Sequence, residues 1–192
     1  MADQQARPKV VLKKKKKKWV QISGLRDFKE VQLGESYVSE PNSLMNKHIE
    51  INLMELTNDI KKQNIKARFK VSSVSDNKAY AEFLGYETVG SMIRRIVKRG
   101  RSKVDDSFIV ETKDKVKVRV KPILLTKSKT PHSLLTKLKF KTHELIVERF
   151  NNVTFDEVVH QIISQELQRD VRDNLKKIVP LAVVDIRYFR KL

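Results

Sequence analysis

The 192-residue sequence contains no cysteine, which removes disulfides, thiolate zinc sites and cysteine nucleophiles together. That fits a reducing, intracellular compartment. Glycine is scarce, with 5 in the chain, and neither G-x-x-x-x-G-K-[S/T] nor G-x-G-x-x-G occurs, so a mononucleotide or dinucleotide cradle has no support. No apolar run approaches the ~20 residues that a bilayer-spanning helix needs. The N-terminal lysine run is followed by alternating rather than continuous hydrophobics, which is not a signal-peptide pattern. A soluble protein is expected. The four histidines, His48, His132, His143 and His160, show no i, i+4 pairing, so neither a metal nor another cofactor is expected.

What the chain has in excess is positive charge: 41 Lys and Arg against 23 Asp and Glu, a net +18 with a pI near 10.0. Such an excess repels itself in the compact state and calls for a polyanion. Nucleic acid is the first candidate, ahead of an anionic membrane or a heparin-like polymer. Taking the six lysines of Lys13 to Lys18 from the +18 leaves +12, so the folded part is basic in its own right. An apolar fraction of 40% is enough for a core, and the length suits one ordinary domain with an appendage.

Three segments follow from the patterning. Residues 1–18 are polar and end in the lysine block, which cannot pack against itself, and a disordered basic arm is expected. Residues 19–125 alternate in the manner of short strands. Ile49, Ile51 and Leu53 lie opposite His48, Glu50 and Asn52, and Ile65, Ala67, Phe69 and Val71 lie opposite Lys66, Arg68 and Lys70. Ser75 to Lys78 supplies turn residues, and Ala79 to Tyr86 returns as a strand. A second hairpin pairs Ser107–Glu111 with Lys115–Leu125 around Lys113-Asp114; there Val116, Val118 and Val120 alternate with Lys115, Lys117, Arg119 and Lys121. Residues 126–192 turn helical. Thr130-Pro131 predicts a helix start with Thr130 as N-cap, and Thr154-Phe-Asp-Glu157 reads as a capping box. An apolar stripe runs from Val158 to Ile178 with a break near Ser164, and Pro180 precedes a last strand over Val183 to Phe189. The fold class expected is α+β: an antiparallel β-barrel flanked by helices, with a helical C-terminal segment and a final strand.

Gly90 to Lys103 holds the densest local charge. As a helix to Gly100 it predicts Met92, Ile93, Ile96 and Val97 on a core-seeking side and Arg94, Arg95, Lys98 and Arg99 on the other, with Arg101 and Lys103 beyond the stop. With the basic strand faces, this makes nucleic-acid binding the leading idea. The candidate contacts are the lysine arm (Lys13, Lys14, Lys15, Lys16, Lys17 and Lys18), the strand residues Lys66, Arg68, Lys70, Lys115, Lys117, Arg119 and Lys121, and the basic helix. Arg187 and Arg190 of the last strand join them, with Trp19 and Tyr80 as aromatics able to meet bases. Most affinity is expected from phosphates. The one enzyme lead is Asp105, Asp106 and Glu111-Thr-Lys113, a weak echo of metal-dependent nucleases. No catalytic residue is expected. A nucleic-acid binder acting outside any large assembly is the other alternative.

The order of motifs carries a resemblance. Asn46-Lys-His-Ile-Glu-Ile-Asn-Leu-Met-Glu-Leu-Thr57 is followed by Arg68-Phe-Lys-Val71 and Ala81-Glu-Phe-Leu-Gly-Tyr-Glu87. Then come Ile93-Arg-Arg-Ile-Val-Lys-Arg99, Thr112-Lys-Asp-Lys-Val-Lys-Val-Arg-Val-Lys-Pro122, Ile178-Val-Pro-Leu181 and Asp185-Ile-Arg187. In this order they resemble the archaeal and eukaryotic small-subunit ribosomal protein family eS1, formerly S3Ae, on its archaeal branch, over Trp19 to Leu192. The resemblance implies a barrel flanked by helices on the platform of the small subunit, beside ribosomal RNA and near the messenger exit. Its partners would be that RNA, neighbouring small-subunit proteins and messenger RNA, in the cytoplasm, with no membrane, no homo-oligomer and no catalysis. Two stretches depart from the family pattern: Thr112-Lys-Asp-Lys-Val116 stands where the family has Thr-x-Asp-Gly-Tyr, and the segment after Thr126 is lysine-rich with several leucines.

Overall fold

The two clearest alternations become the two main hairpins. The computed structural model describes residues 16–24, 31–75 and 78–192. In it, β4 (Ile65–Val74) lies antiparallel to β5 (Lys78–Thr88), and Ala67, Phe69 and Val71 are fully buried on one face. β7 (Phe108–Glu111) lies antiparallel to β8 (Lys117–Thr126), which buries Val118 and Val120. β3 (His48–Asn52) pairs with β4 and leads into the short helix α1 (Leu53–Thr57), capped by the Asn52 side chain. Two further strands have no clear sequence signal. They are β2 (Gln32–Val38), which pairs with β1 (Lys18–Gly24), and the three-residue β6 (Lys103–Asp105) beside the end of β8.

The last strand, β9 (Leu181–Lys191), is inserted between β5 and β8, so the first and last parts of the chain share one sheet. β5 offers one edge to β4 throughout and divides the other between β1, at Lys78–Ala81, and β9, at Gly85–Glu87. β1 and β5 run parallel, and the other ladders are antiparallel. Among the described residues no ladder joins the outer strands β2, β3, β6 and β7 to one another. The class is thus α+β with a large open sheet, and the pairings do not make the expected closed barrel. Gly85 permits the β5–β9 junction: a Cβ there would collide with the Phe189 carbonyl oxygen.

Helices α3 (His132–Asn152), α4 (Phe155–Ile163) and α5 (Glu166–Leu175) cover the inward face. Leu138, Ile146 and Phe150 of α3 are buried together with Val158, Ile162, Leu167, Val171 and Leu175. Phe189 sits at the middle of an aromatic group, with ring centroids 5.8 Å from Phe155, 6.1 Å from Tyr86 and 6.2 Å from Phe150. The capping box at Thr154–Glu157 is formed, and α4 breaks from α5 at Gln165, whose φ is 64°. Two details differ from the sequence reading. α3 begins one residue later than expected, with Pro131 in the cap position, while the Thr130 hydroxyl donates to the Ser128 carbonyl instead. Ile178 is exposed, and its neighbour Val179 fills the core.

The basic helix is corrected more deeply. α2 spans only Gly90–Ile96, and Val97 takes an extended backbone. No residue of α2 is buried: Met92, Ile93 and Ile96 are half-covered, and Val97 is 39% exposed. Two β-branched residues ahead of Lys98-Arg-Gly give weak helix propagation, and too little apolar surface is covered to extend it. The stretch is a short charged outcrop after β5 rather than a packed organising element.

Candidate nucleic-acid interface

In a pleated ladder, directly paired residues share a face, so the registers assign every outward side chain. One row crosses six strands: Ile109 on β7, Arg119 on β8, Arg190 on β9, Gly85 on β5, Arg68 on β4 and Glu50 on β3. The next row holds Lys121, Tyr188, Glu87, Lys66 and Asn52. Further along β5 and β1 the same face carries Tyr80 beside Ser23, Lys78 beside Gln21, and then Trp19, which is paired with Tyr37 of β2.

The basic residues on this face divide into two kinds. Arg68 is committed within the protein: its Nε lies 2.9 Å from Glu50 and its Nη2 3.1 Å from Glu87, while Lys66 lies 3.7 Å from Glu50. Lys70 stands opposite Glu82 in the ladder. The β3–β4–β5 part therefore sets three carboxylates among three cations and presents little net charge. The β8–β9 part is different. Arg119 and Arg190 face each other directly across the ladder, beside the side-chain-free Gly85, and neither makes an ion pair among the described residues. Like charges directly opposite each other in a sheet are destabilising, whereas an opposite-charge pair there contributes about 0.2–1 kcal/mol. The pair stands on the outward face of the sheet with no carboxylate partner among the described residues. Lys121 joins it with its Nζ 4.6 Å from the Tyr188 ring centroid, and Lys117 lies 3.5 Å from Glu111.

The other predicted residues fall around this face. Arg94, Arg95, Lys98, Arg99 and Arg101 are all exposed and make no ion pair among the described residues. Lys103 is paired with Asp105 at 3.3 Å, and Arg187 reaches the same carboxylate at 3.0 Å, so these two brace the β6–β9 region. Lys115 is not in a strand: it takes φ 59° in the turn, the position where the resembled pattern has glycine. That turn docks on the helices, with Asp114 accepting a hydrogen bond from the Phe155 amide at 3.0 Å. Lys16, Lys17, Lys18 and Trp19 are exposed, and Tyr80 is half-buried. Lys13, Lys14 and Lys15 lie outside the described residues, as does the middle of the turn at 76–77. Sequence reasoning misses Tyr37, Lys78 and Tyr188 as members of the face. Their placement depends on pairings and on bulges near Leu84, Ser72 and Arg187 that alternation alone does not reveal.

The acidic lead resolves into separate ion pairs. Asp105 is held by Lys103 and Arg187, Asp106 by Lys139 at 3.1 Å, and Glu111 by Lys117. Among the described residues no three His, Asp or Glu side chains gather as a metal site would require. Two titratable groups among the described residues, Asp185 and Tyr86, are perturbed, and they lie side by side. Burial raises Asp185 above the usual carboxylate range, although the Ile186 amide and Gln168 donate to it. Burial also raises Tyr86, with the nearby Asp185 charge adding to it, and the Tyr86 hydroxyl donates to the Ile186 carbonyl at 2.8 Å. This pair fixes β9 against β5 and the helices and faces no open site.

Comparison with known proteins gives a consistent result. The model of the Ribosomal S3Ae family matches residues 5–192. The chain is 31% identical over 186 residues to the small ribosomal subunit protein eS1 of Methanobrevibacter smithii, covering 97% of this chain and 96% of that protein. It is 32% identical over 172 residues to the protein of the same name from Methanothermobacter thermautotrophicus, covering 90% and 88%. With that of Nanoarchaeum equitans it shares 32% over 175 residues, covering 91% and 88%.

Proposed function

The chain belongs to the ribosomal S3Ae family, and from that premise we propose that it is a structural protein of the small ribosomal subunit, serving translation by holding ribosomal RNA. The observation that carries this reading is the match over almost the whole length of both chains, which leaves little room for a shared module in an otherwise different protein. The Arg119–Arg190 couple, without an ion pair among the described residues, the exposed cations of Arg94 to Arg101 and the +18 charge support RNA as the direct ligand. Phosphates are the main target, because the available groups are cations on a broad open face rather than a cleft shaped for one base. The family resemblance adds the platform beside the messenger exit, in the cytoplasm, with neighbouring small-subunit proteins as further partners and messenger RNA passing nearby. The protein acts there as a single copy and away from membranes. Sedimentation tests the proposal: tagged chain expressed in an archaeal host should travel with small subunits at low salt and leave them at high salt. Chain that stays in the free pool while still binding RNA would assign it to nucleic-acid binding outside the ribosome.

A further inference from the structure

The outward face contains an aromatic pair that neither phosphate binding nor folding accounts for. Trp19 and Tyr37 are cross-strand partners on β1 and β2, with ring centroids 5.0 Å apart and planes tilted by 38°. Their mutual contact supports the hairpin. Yet Trp19 remains 63% exposed and Tyr37 51% exposed, while Phe69, Phe150, Phe189 and Tyr86 are buried. On the other side of β1, Val20 and Ile22 supply the core contacts, so the pair is not needed to anchor the strand.

The surroundings indicate what covers it. Lys16, Lys17 and Lys18 lead directly into Trp19, and the Lys17 Nζ lies 5.6 Å from the Tyr37 centroid. Lys78 and Tyr80 continue the same face on β5. Lysine is depleted from the centres of protein–protein interfaces, whereas cations interleaved with open aromatic faces form the stacking platforms that hold single-stranded nucleic acid. We propose that Trp19 and Tyr37 stack unpaired bases of a single-stranded RNA segment while Lys16, Lys17 and Lys18 hold its phosphates. This rests on the RNA reading above and adds to it a separate site, at the β1–β2 end of the face, that takes single strands.

Trp19 is the only tryptophan of the chain, so its emission reports on this site alone. Full-length protein is titrated with a 12-nucleotide single-stranded RNA, an abasic oligomer of equal charge and a 12-base-pair RNA duplex, with binding followed in parallel by anisotropy. The single strand should quench Trp19 along the same titration curve as anisotropy. The abasic oligomer should bind more weakly without quenching, and the duplex should bind with Trp19 emission unchanged. Trp19→Ala should weaken single-strand binding by about 5- to 150-fold, the range of one base–aromatic stack. Trp19→Phe should retain most of the affinity and controls for damage to the hairpin. Single-strand binding without quenching, and equal for wild type and Trp19→Ala, would overturn the stacking site and leave the RNA reading standing. Absence of binding to any probe would overturn both. Trp19 emission that ignores RNA but shifts on adding a neighbouring small-subunit protein would overturn it in favour of a protein contact.

Discussion

Replacing both Arg119 and Arg190 with glutamine should move stability and RNA binding in opposite directions. The two arginines oppose each other directly across the β8–β9 ladder, and neither has a carboxylate partner among the described residues. Relieving a like-charged cross-strand pair should stabilise the protein, on the order of the 0.2–1 kcal/mol that an opposite-charge pair contributes. If each arginine meets one phosphate of duplex RNA, the salt slope should flatten by roughly 0.9 per contact, or about 1.8 in total. Over the fourfold range from 50 to 200 mM salt that difference amounts to about tenfold. The deficit of the variant should therefore be roughly ten times larger at the low-salt end. Urea denaturation and a salt titration of binding to a small-subunit RNA fragment measure the two effects on the same preparations. The same exchange at Arg68 provides the contrast, because it strips a partner from Glu50 and Glu87. It should lower stability and hardly change the slope. An Arg119/Arg190 variant with an unchanged slope, or one destabilised by more than about 1 kcal/mol, would refute the idea that this pair is kept for an external anion.

Three further outcomes follow from particular residues. Ile96→Ala should cost only about 1 kcal/mol, below the roughly 2–5 of a fully buried site, because Ile96 is half-covered on a helix with no buried residue; chemical denaturation checks it. Lys115→Gly should raise the thermal midpoint, with a net gain of about 0.5–1 kcal/mol, since φ 59° strains an L-residue and glycine gives back part of the relief as unfolded-chain entropy; a drop would mean that the Lys115 side chain holds the turn. Asp185→Asn should be at least as stable as wild type at neutral pH. The folded pKa is raised, so the stability tied to the protonated carboxyl is complete below the unfolded value of ~3.9 and is lost as pH rises through the folded value. The amide also brings a donor beside Gln168, whose Oε1 has no partner among the described residues. Urea midpoints measured between pH 3 and 7 should show the advantage of the variant vanish on acidification, and lower stability at pH 7 would count against it.

How far the sequence could be read depended on the range of the interaction that fixed each feature. Alternation at Ile65–Val71 and at Val116–Val120 and the capping box at Thr154 are local, and each named its element, whereas the helix expected to run up to Pro180 ends at Leu175. β6 is three residues long and held by Val104 and by its pairing with Leu124, so it leaves no local trace. The face of Tyr86 was equally hidden. Counting by twos from Tyr80 puts it outside, but the bulge near Leu84 shifts the register and carries it into the core, where its hydroxyl meets Ile186, 100 residues away. The basic face shows the same division. Lysines and arginines at alternate positions were legible, but not which of them the protein neutralises itself. Lys66, Arg68 and Lys70 read just like Lys117, Arg119 and Lys121. Only the neighbouring strands distinguish them, by bringing Glu50, Glu82 and Glu87 to the first set, and to the second Glu111 beside Lys117 but Arg190 beside Arg119. A basic stripe in a sequence is thus evidence of a charged face but not of a free one. What singles out Arg119 is the presence of a second arginine where Lys66, Arg68, Lys70 and Lys117 each have a carboxylate opposite.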